Sequence, residues 1–333
     1  MKINREELLQ QLQAVQPGLA NKEVIEQTQS FIFKEGRVYT YNDIIAISSP
    51  SILDLDGAVK ASELFQLLSK SKAKELEIET TGTELRLKTK RSKAGIRLEE
   101  VVLDVDGIAK PGKWSPLPKG FCDAVRFCLF TVSKDMTKAI LTCIHVKGEW
   151  VESCDNYRFT RKPMKSAIKK SLLIPGDAAR QIVSYSPTHY SVADGWLHFK
   201  NEDDVLFSCR TYEGKYPDLE ELVDFEGKEV EMPDDLSDML ERAGIFSHTE
   251  FQQDEQVDLS LKENVLMVHG KGPGGWLKER VKVAYERDPV RVSVSPQFLK
   301  EMLSLTETMI IGKTMLKMET DDFVHAVRLF AGE

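Results

Sequence analysis

The side chains best suited to metal binding or proton transfer are six histidines, at positions 145, 189, 198, 248, 269 and 325. They are scattered, with no pair four residues apart and no neighbouring Cys pair, so the ligand spacing of a zinc site is missing. The five cysteines (Cys122, Cys128, Cys143, Cys154 and Cys209) are odd in number and form no Cys-x-x-Cys, which fits reduced thiols in a cytosolic protein. GKGPGG at 270–275 has the glycines of a phosphate-binding loop but lacks the following Lys-Ser/Thr pair. It sits between strand patterns and reads as a wide hairpin turn. Asp54 with Asp56, and Asp104 with Asp106, are spaced to put two carboxylates on one strand face, as acid–base chemistry requires. Solvated edge residues flanking Leu55 and Val105 explain the same pattern more simply. Nor is there a Gly-x-Ser-x-Gly or a nucleophile with an orienting histidine. The expectation is a chain that is not an enzyme and needs no metal or cofactor.

The elements around these residues repeat. QSFIFKEGRVYTYNDIIAISS (29–49) reads strand, turn at 34–36, strand, turn at 42–43, strand. LTCIHVKGEWVESCDNYRFTRK (141–162) does the same, with turns at 147–148 and 155–156. A third copy, at 257–283, turns at Glu263 and Asn264. Apolar and polar residues alternate along each arm, the period of a half-buried antiparallel strand. Helical periodicity precedes each meander, at 5–16, 120–134 and 234–247, and follows each, at 60–71, 175–186 and 295–306. A short hairpin then turns near Gly82, Gly195 and Gly312. The period is roughly 110 residues, and a repeat at fixed spacing is the strongest clue to architecture. The expected fold is α+β, with three domains at 1–112, 113–224 and 225–333, each with two helices packed on antiparallel sheets.

No apolar run approaches the ~20 residues of a membrane span, and the amphipathic start, MKINREELLQQLQAV, has no secretory h-region. A cytoplasmic location is expected, with no membrane partner. The formal charge is −8. Lys+Arg against Asp+Glu is 16 to 17 in residues 1–112, 16 to 15 in 113–224 and 13 to 21 in 225–333, so the last third carries the net negative charge. Any contact with DNA must come from a locally basic face.

DNYRFTRKP (155–163), SLLIPGDAARQIV (171–183) and RTYEGKYPDLEELV (210–223) together resemble the bacterial beta sliding clamp, the processivity subunit of the replicative DNA polymerase. That family has a D-G-H/Y-R-L turn, an I-P-x-x-x-A-R-E-I helix and an E-G-x-F/Y-P-D-Y segment in this order. VSPQFLKEMLSL and HAVRL (325–329) are similar to the family's third domain and its terminal M-P-M-R-L. The resemblance spans the whole chain, strongest at 118–223 and weakest at 1–110.

It implies the DNA clamp fold. In that family a head-to-tail homodimer of three-domain protomers forms a ring, with helices inside and sheet outside, around duplex DNA. The partners it implies are double-stranded DNA without base readout, a DNA polymerase and a clamp loader. Helix charge and position nominate Lys60, Lys70, Arg126, Arg180, Arg242 and Lys300 as DNA-facing. The resemblance adds Lys138, at an arginine position near the DNA path, Lys134 in the same loop, and Lys22 in the equivalent loop of the first domain.

The resemblance also implies a hydrophobic groove for partner peptides between the second and third domains. Its wall would be Leu141, Cys154, Asn156, Tyr157, Arg158 and Phe159, with Pro217 and Leu222 below. Phe323, His325, Val327 and Arg328 would complete it, and Ile245 with Phe246 would form the apolar dimer patch. Asp155 with Arg158 also reads as a turn-stabilising ion pair. His325 and Ala326 stand where the family has Met-Pro, Asn156 replaces a glycine, and 330–333 extends past the usual final leucine, with Phe330 placed to cover part of the groove. These departures suit a divergent member encoded by a phage or mobile element. The rival class is a DNA-independent scaffold of the same fold that serves protein–protein contacts.

Overall fold

Each meander turns where its sequence permits a left-handed backbone. In the computed structural model, which describes residues 1–108, 110–250 and 254–330, Glu35 and Gly36 have φ of 49° and 71°, and Glu263 and Asn264 have 50° and 60°. Two consecutive positive φ values make the hairpin turn whose twist matches its strands. Gly148 supplies φ 59° at the equivalent place in the second meander. The strands are Ser30–Lys34, Arg37–Tyr41 and Ile45–Pro50, then Cys143–Lys147, Trp150–Cys154 and Arg158–Pro163, then Val257–Lys262, Val265–Gly272 and Gly275–Lys282.

All six expected helices form: Arg5–Val15, Ala61–Lys70, Phe121–Cys128, Gly176–Tyr185, Leu236–Gly244 and Pro296–Leu303. The helix expected over 120–134 stops at Cys128 and passes into the 3-10 turn Leu129–Thr131. The Cys128 carbonyl accepts from the hydroxyls of Thr131 (3.3 Å) and Ser153 (2.5 Å), and this hydroxyl bonding competes with continuation of the helix. The paired aspartates do not lie on strands. Asp54 and Asp56 are exposed loop residues, Asp56 accepting the Glu35 amide at 3.0 Å. Asp104 caps the short helix Val105–Ile108 by accepting the Gly107 amide at 3.0 Å.

The chain folds as two compact units, 1–126 with 168–213, and 127–167 with 214–333. In the first, a sheet runs in the order Gly57–Lys60, Ser30–Lys34, Arg37–Tyr41, Ile45–Pro50, Leu206–Arg210, Trp196–Lys200, His189–Ala193, Ser115–Pro116. In the second, a sheet runs Cys143–Lys147, Trp150–Cys154, Arg158–Pro163, Val324–Arg328, Met315–Glu319, Thr308–Ile311, Lys228–Glu231. Each is thus the meander of one repeat joined to the hairpin of the next, which is why the units cut across the sequence repeats. The first repeat's hairpin makes a four-stranded sheet, Lys2–Asn4, Glu75–Thr81, Glu84–Lys88, Lys93–Arg97. The third meander makes another, Gly275–Lys282, Val265–Gly272, Val257–Lys262, Val290–Val294. All the registered pairs within these sheets are antiparallel.

The glycines of 270–275 serve packing. A Cβ on Gly270 would lie 2.1 Å from the Ala243 carbonyl oxygen, and one on Gly272 2.1 Å from that of Phe246. The strand can therefore meet the end of helix Leu236–Gly244 only without side chains there. That helix buries Leu236, Met239, Leu240 and Ala243 in a core with Leu266, Val268, Leu299 and Met302. Each large side chain so buried contributes roughly 1.5–3 kcal/mol.

Candidate partner-peptide site and DNA-facing cations

Strand alternation in the second unit decides which expected groove residues share a face. Arg158–Pro163 pairs with Val324–Arg328 so that Phe159 faces Ala326 and Thr160 faces His325. On the helix side, the His325 ring lies 5.1 Å from Phe130 and its Nδ1 is 2.8 Å from the Thr160 hydroxyl. Phe323 packs 4.9 Å from Phe127. Val327 belongs to the core that holds Leu299 and Met302. Phe323, His325 and Val327 are therefore buried on the helix side of the sheet, away from the face that carries Phe159. A strand presents alternate residues to opposite faces, so Val324, Ala326 and Arg328 share the other face of this strand, where Val324 and Ala326 are buried and Arg328 is exposed.

Arg158 also turns inward. Its guanidinium lies 4.3 Å over the Phe298 ring, bonds Asp155 at 3.1 Å, donates to the Phe130 carbonyl at 3.1 Å and pairs with Glu301. Asp155 Oδ1 accepts the amides of Tyr157 and Arg158 at 2.8 and 2.9 Å. This arginine ties helix Pro296–Leu303 and the turn at Phe130 to the sheet, so it is committed to structure and not free to orient a peptide. Tyr157 likewise leans on Phe298, at 6.0 Å between ring centroids.

The opposite face carries Phe159, Cys154 and Ala326 as a floor, Phe159 being opposite Cys154 on the neighbouring strand. Phe159 is only 2% exposed. The segment 214–223 crosses this face. The Tyr216 hydroxyl accepts the Cys154 amide at 2.9 Å, and Lys317 Nζ donates to the Val223 carbonyl at 3.0 Å. Gly214, at φ 148°, is required where the chain passes Ile140, since a Cβ would lie 2.7 Å from that side chain. Pro217 and Leu222 remain exposed and Leu141 half-buried beside this floor. Asn156 is exposed and accepts from Lys138 Nζ at 2.6 Å, so a residue expected on the DNA path is bound to one expected in the groove. Phe330 is placed by its amide, which donates to the Ser293 carbonyl at 2.8 Å, and not over Phe159. The rest of the 330–333 extension lies outside the described residues.

Sequence reasoning missed Tyr216 and the buried charges beneath it. His145 stacks on Tyr216 at 4.7 Å and meets Glu152 at 2.7 Å, and Glu152 meets Arg161 at 3.1 Å. The Arg161 guanidinium lies 4.4 Å over Trp150. Burial pushes the Tyr216 hydroxyl well above its ordinary range and the Cys154 thiol up to about 11, so neither ionises near neutrality. The signal in the sequence was the spacing of Trp150, Glu152 and Arg161 on alternate strand positions, legible only once the register is known.

The expected DNA-facing cations are mostly paired locally. Lys60 meets Glu23 at 2.5 Å, and Arg126 meets Asp123, Arg180 meets Asp177 and Arg242 meets Glu279, each at 3.0 Å. Lys300 pairs with Glu241. Lys22, Lys70 and Lys134 are exposed. Surface pairs of this kind contribute little, so a phosphate can replace the carboxylate at small cost. Ile245 is 71% exposed, so it does not end its helix in the local core, and Phe246 is half-buried beside Gly275. Among the described residues no three metal-ligating side chains gather and no helix is long and apolar enough to cross a membrane.

No family model and no curated protein matches the sequence. Solved structures do match, over the whole chain. The DNA polymerase III beta subunit of Pseudomonas aeruginosa is 15% identical, with 99% of each chain covered and a TM-score of 0.84. The beta chain of Streptococcus pneumoniae is 19% identical, with 99% of each covered and a TM-score of 0.83. That of Thermotoga maritima is 15% identical, covering 100% of this chain and 99% of its own, with a TM-score of 0.79. The chain has the fold of these DNA polymerase III beta subunits.

Proposed function

We propose that this chain is a sliding clamp: two copies close head to tail into a ring that encircles duplex DNA and tethers a polymerase without reading sequence. The observation that carries this is the rule of strand pairing between repeats. The last strand of a meander pairs with the last strand of the next repeat's hairpin, Ile45–Pro50 with Leu206–Arg210 and Arg158–Pro163 with Val324–Arg328. Applied once more, Gly275–Lys282 calls for a further hairpin, and the hairpin that ends in Lys93–Arg97 still lacks a meander. A second copy satisfies both edges at two identical seams and leaves neither strand open to aggregation.

Residues 1–112, 113–224 and 225–333 are then the repeating domains, six to a ring. Ile245 and Phe246 end the helix packed on Gly275–Lys282 and supply apolar contact at the seam. The helix cations make weak, exchangeable phosphate contacts, as sliding requires. A polymerase or clamp loader docks a short peptide beside the buried floor of Cys154, Phe159 and Ala326, on Leu141 and the exposed Pro217 and Leu222. The chain does no chemistry of its own in this reading.

The test is light scattering with electron microscopy. Wild type should have the mass of two chains and show a central hole, while Ile245→Asp/Phe246→Asp should be one folded chain, since charges buried at the seam cost several kcal/mol. A wild-type monomer at micromolar concentration refutes the seam. A dimer with no salt-sensitive affinity for DNA favours the scaffold reading instead.

A further inference from the structure

Strand Val290–Val294 borders a cavity of about 580 Å³ whose charge runs against its surroundings. Residues 225–333 hold 13 basic side chains against 21 acidic ones. The cavity nevertheless gathers Lys271, Arg291 and Lys313 around one carboxylate, Asp258. That carboxylate is already committed: it meets Arg291 at 2.9 Å, accepts from the Ser293 hydroxyl and lies 3.7 Å from His269 Nδ1. Lys271 and Lys313 are exposed, and neither is needed to balance it. Burial holds the His269 imidazole below its ordinary value, and the positive charges of Lys278, Lys271 and Arg291 push the same way against the pull of Asp258. The ring is therefore neutral near pH 7, and the excess charge of the cavity comes from the lysines.

Two further features point to what fits there. Phe330 gives the cavity an apolar side chain, whereas Val292 and Leu329, which also line it, pack their side chains in the core. The strand pairs with Val257–Lys262 on one side, and on the other its Ser293 carbonyl accepts the Phe330 amide at 2.8 Å. Arg291, two residues earlier, has the same parity and opens its backbone to the same edge.

We propose that this cavity binds an extended acidic peptide, which adds to the strand edge at Arg291, sets carboxylates against Lys271 and Lys313, and rests an apolar side chain on Phe330. Strand addition supplies backbone bonds while alternate side chains supply specificity. A duplex is the poorer fit, because its phosphates line a convex rod and call for an open basic surface, not a recess beside a fixed carboxylate and an apolar side chain. The inference goes beyond the clamp reading and does not rest on it, and the site shares no residue with the Phe159 floor.

The experiment uses the full chain and a fluorescein-labelled hexapeptide of alternating Glu and Leu, read by anisotropy, with the Gln–Leu hexapeptide as control. The Glu peptide should bind, the Gln peptide roughly tenfold more weakly or worse, and added salt should weaken only the former. Lys271→Glu/Lys313→Glu changes two exposed side chains, should leave the unfolding midpoint in place, and should weaken the Glu peptide by at least about tenfold. Leu222→Glu, on the 214–223 segment and outside the cavity lining, should leave this affinity unchanged. Absence of binding at millimolar peptide, equal binding of the two peptides, or unchanged affinity in the double lysine variant overturns the proposal. So does duplex DNA binding that the lysine variant abolishes while the Glu peptide fails to bind, since that makes the cavity a nucleic-acid site.

Discussion

Acid should loosen the second unit through one residue, His325. Burial lowers its imidazole from an ordinary 6.5 to about 3, with the Arg158 charge acting in the same direction and a backbone bond at Phe159 opposing. The folded state thus refuses a proton that the unfolded chain accepts. The stabilisation from the neutral ring is full above pH 6.5 and is lost as pH falls toward about 3. At about pH 5 the unfolded chain is protonated and the folded one is not, which costs roughly 2 kcal/mol, since each pKa unit is worth about 1.4 kcal/mol. His325→Met removes this term while keeping an apolar side chain of similar volume. It leaves the Thr160 hydroxyl without its 2.8 Å partner, a loss of about 1 kcal/mol at neutral pH. The variant should therefore be less stable than wild type near pH 7.5 and more stable near pH 5. Urea unfolding at the two pH values, with hydrogen exchange of 158–163 and 324–328 to locate the change, measures the crossing. Parallel loss of stability in both proteins refutes the reasoning, because every other titrating group is common to them.

Gly270→Ala should destabilise by about 1–3 kcal/mol, because its Cβ meets the Ala243 carbonyl at 2.1 Å, whereas Gly274→Ala, with nothing within 4 Å, should stay within about 0.5 kcal/mol in the same denaturation assay. Phe159→Ala should cost about 3–5 kcal/mol of stability and so confounds any binding measurement. Leu222→Glu, at an exposed position, should instead weaken a Leu- or Phe-ended polymerase peptide by calorimetry without moving the unfolding midpoint. Binding to linear duplex should be independent of sequence and fade between low and physiological salt as counterion release loses its entropic value, and a nanomolar preference for one sequence would contradict a sliding ring.

The sequence by itself determined the local chemistry and the repeat. Alternation of apolar and polar residues, helical spacing, and Gly or Asn at positions of positive φ are each set within a few residues, so the three meanders and six helices were legible, except that the helix read over 120–134 ends at Cys128. Of the glycines of 270–275, read as a wide hairpin turn, only Gly274 lies in the turn, a two-residue one, and Gly270, Gly272 and Gly275 lie on the strands. The reason for Gly270 and Gly272, the approach of the Ala243 and Phe246 carbonyls, is a contact between an element and a distant strand and could not be read locally. The tertiary structure alone decided which repeat each hairpin joins, and hence that the compact units cross the repeat boundaries. It also decided the face of the last strand. Strand side chains alternate, so a shift of one residue exchanges Phe323, His325 and Val327 for Val324, Ala326 and Arg328. That register is fixed by pairing with Arg158–Pro163, more than 160 residues earlier. The same long-range closure turned Arg158 onto Phe298 and Glu301, where no spacing in the sequence places it.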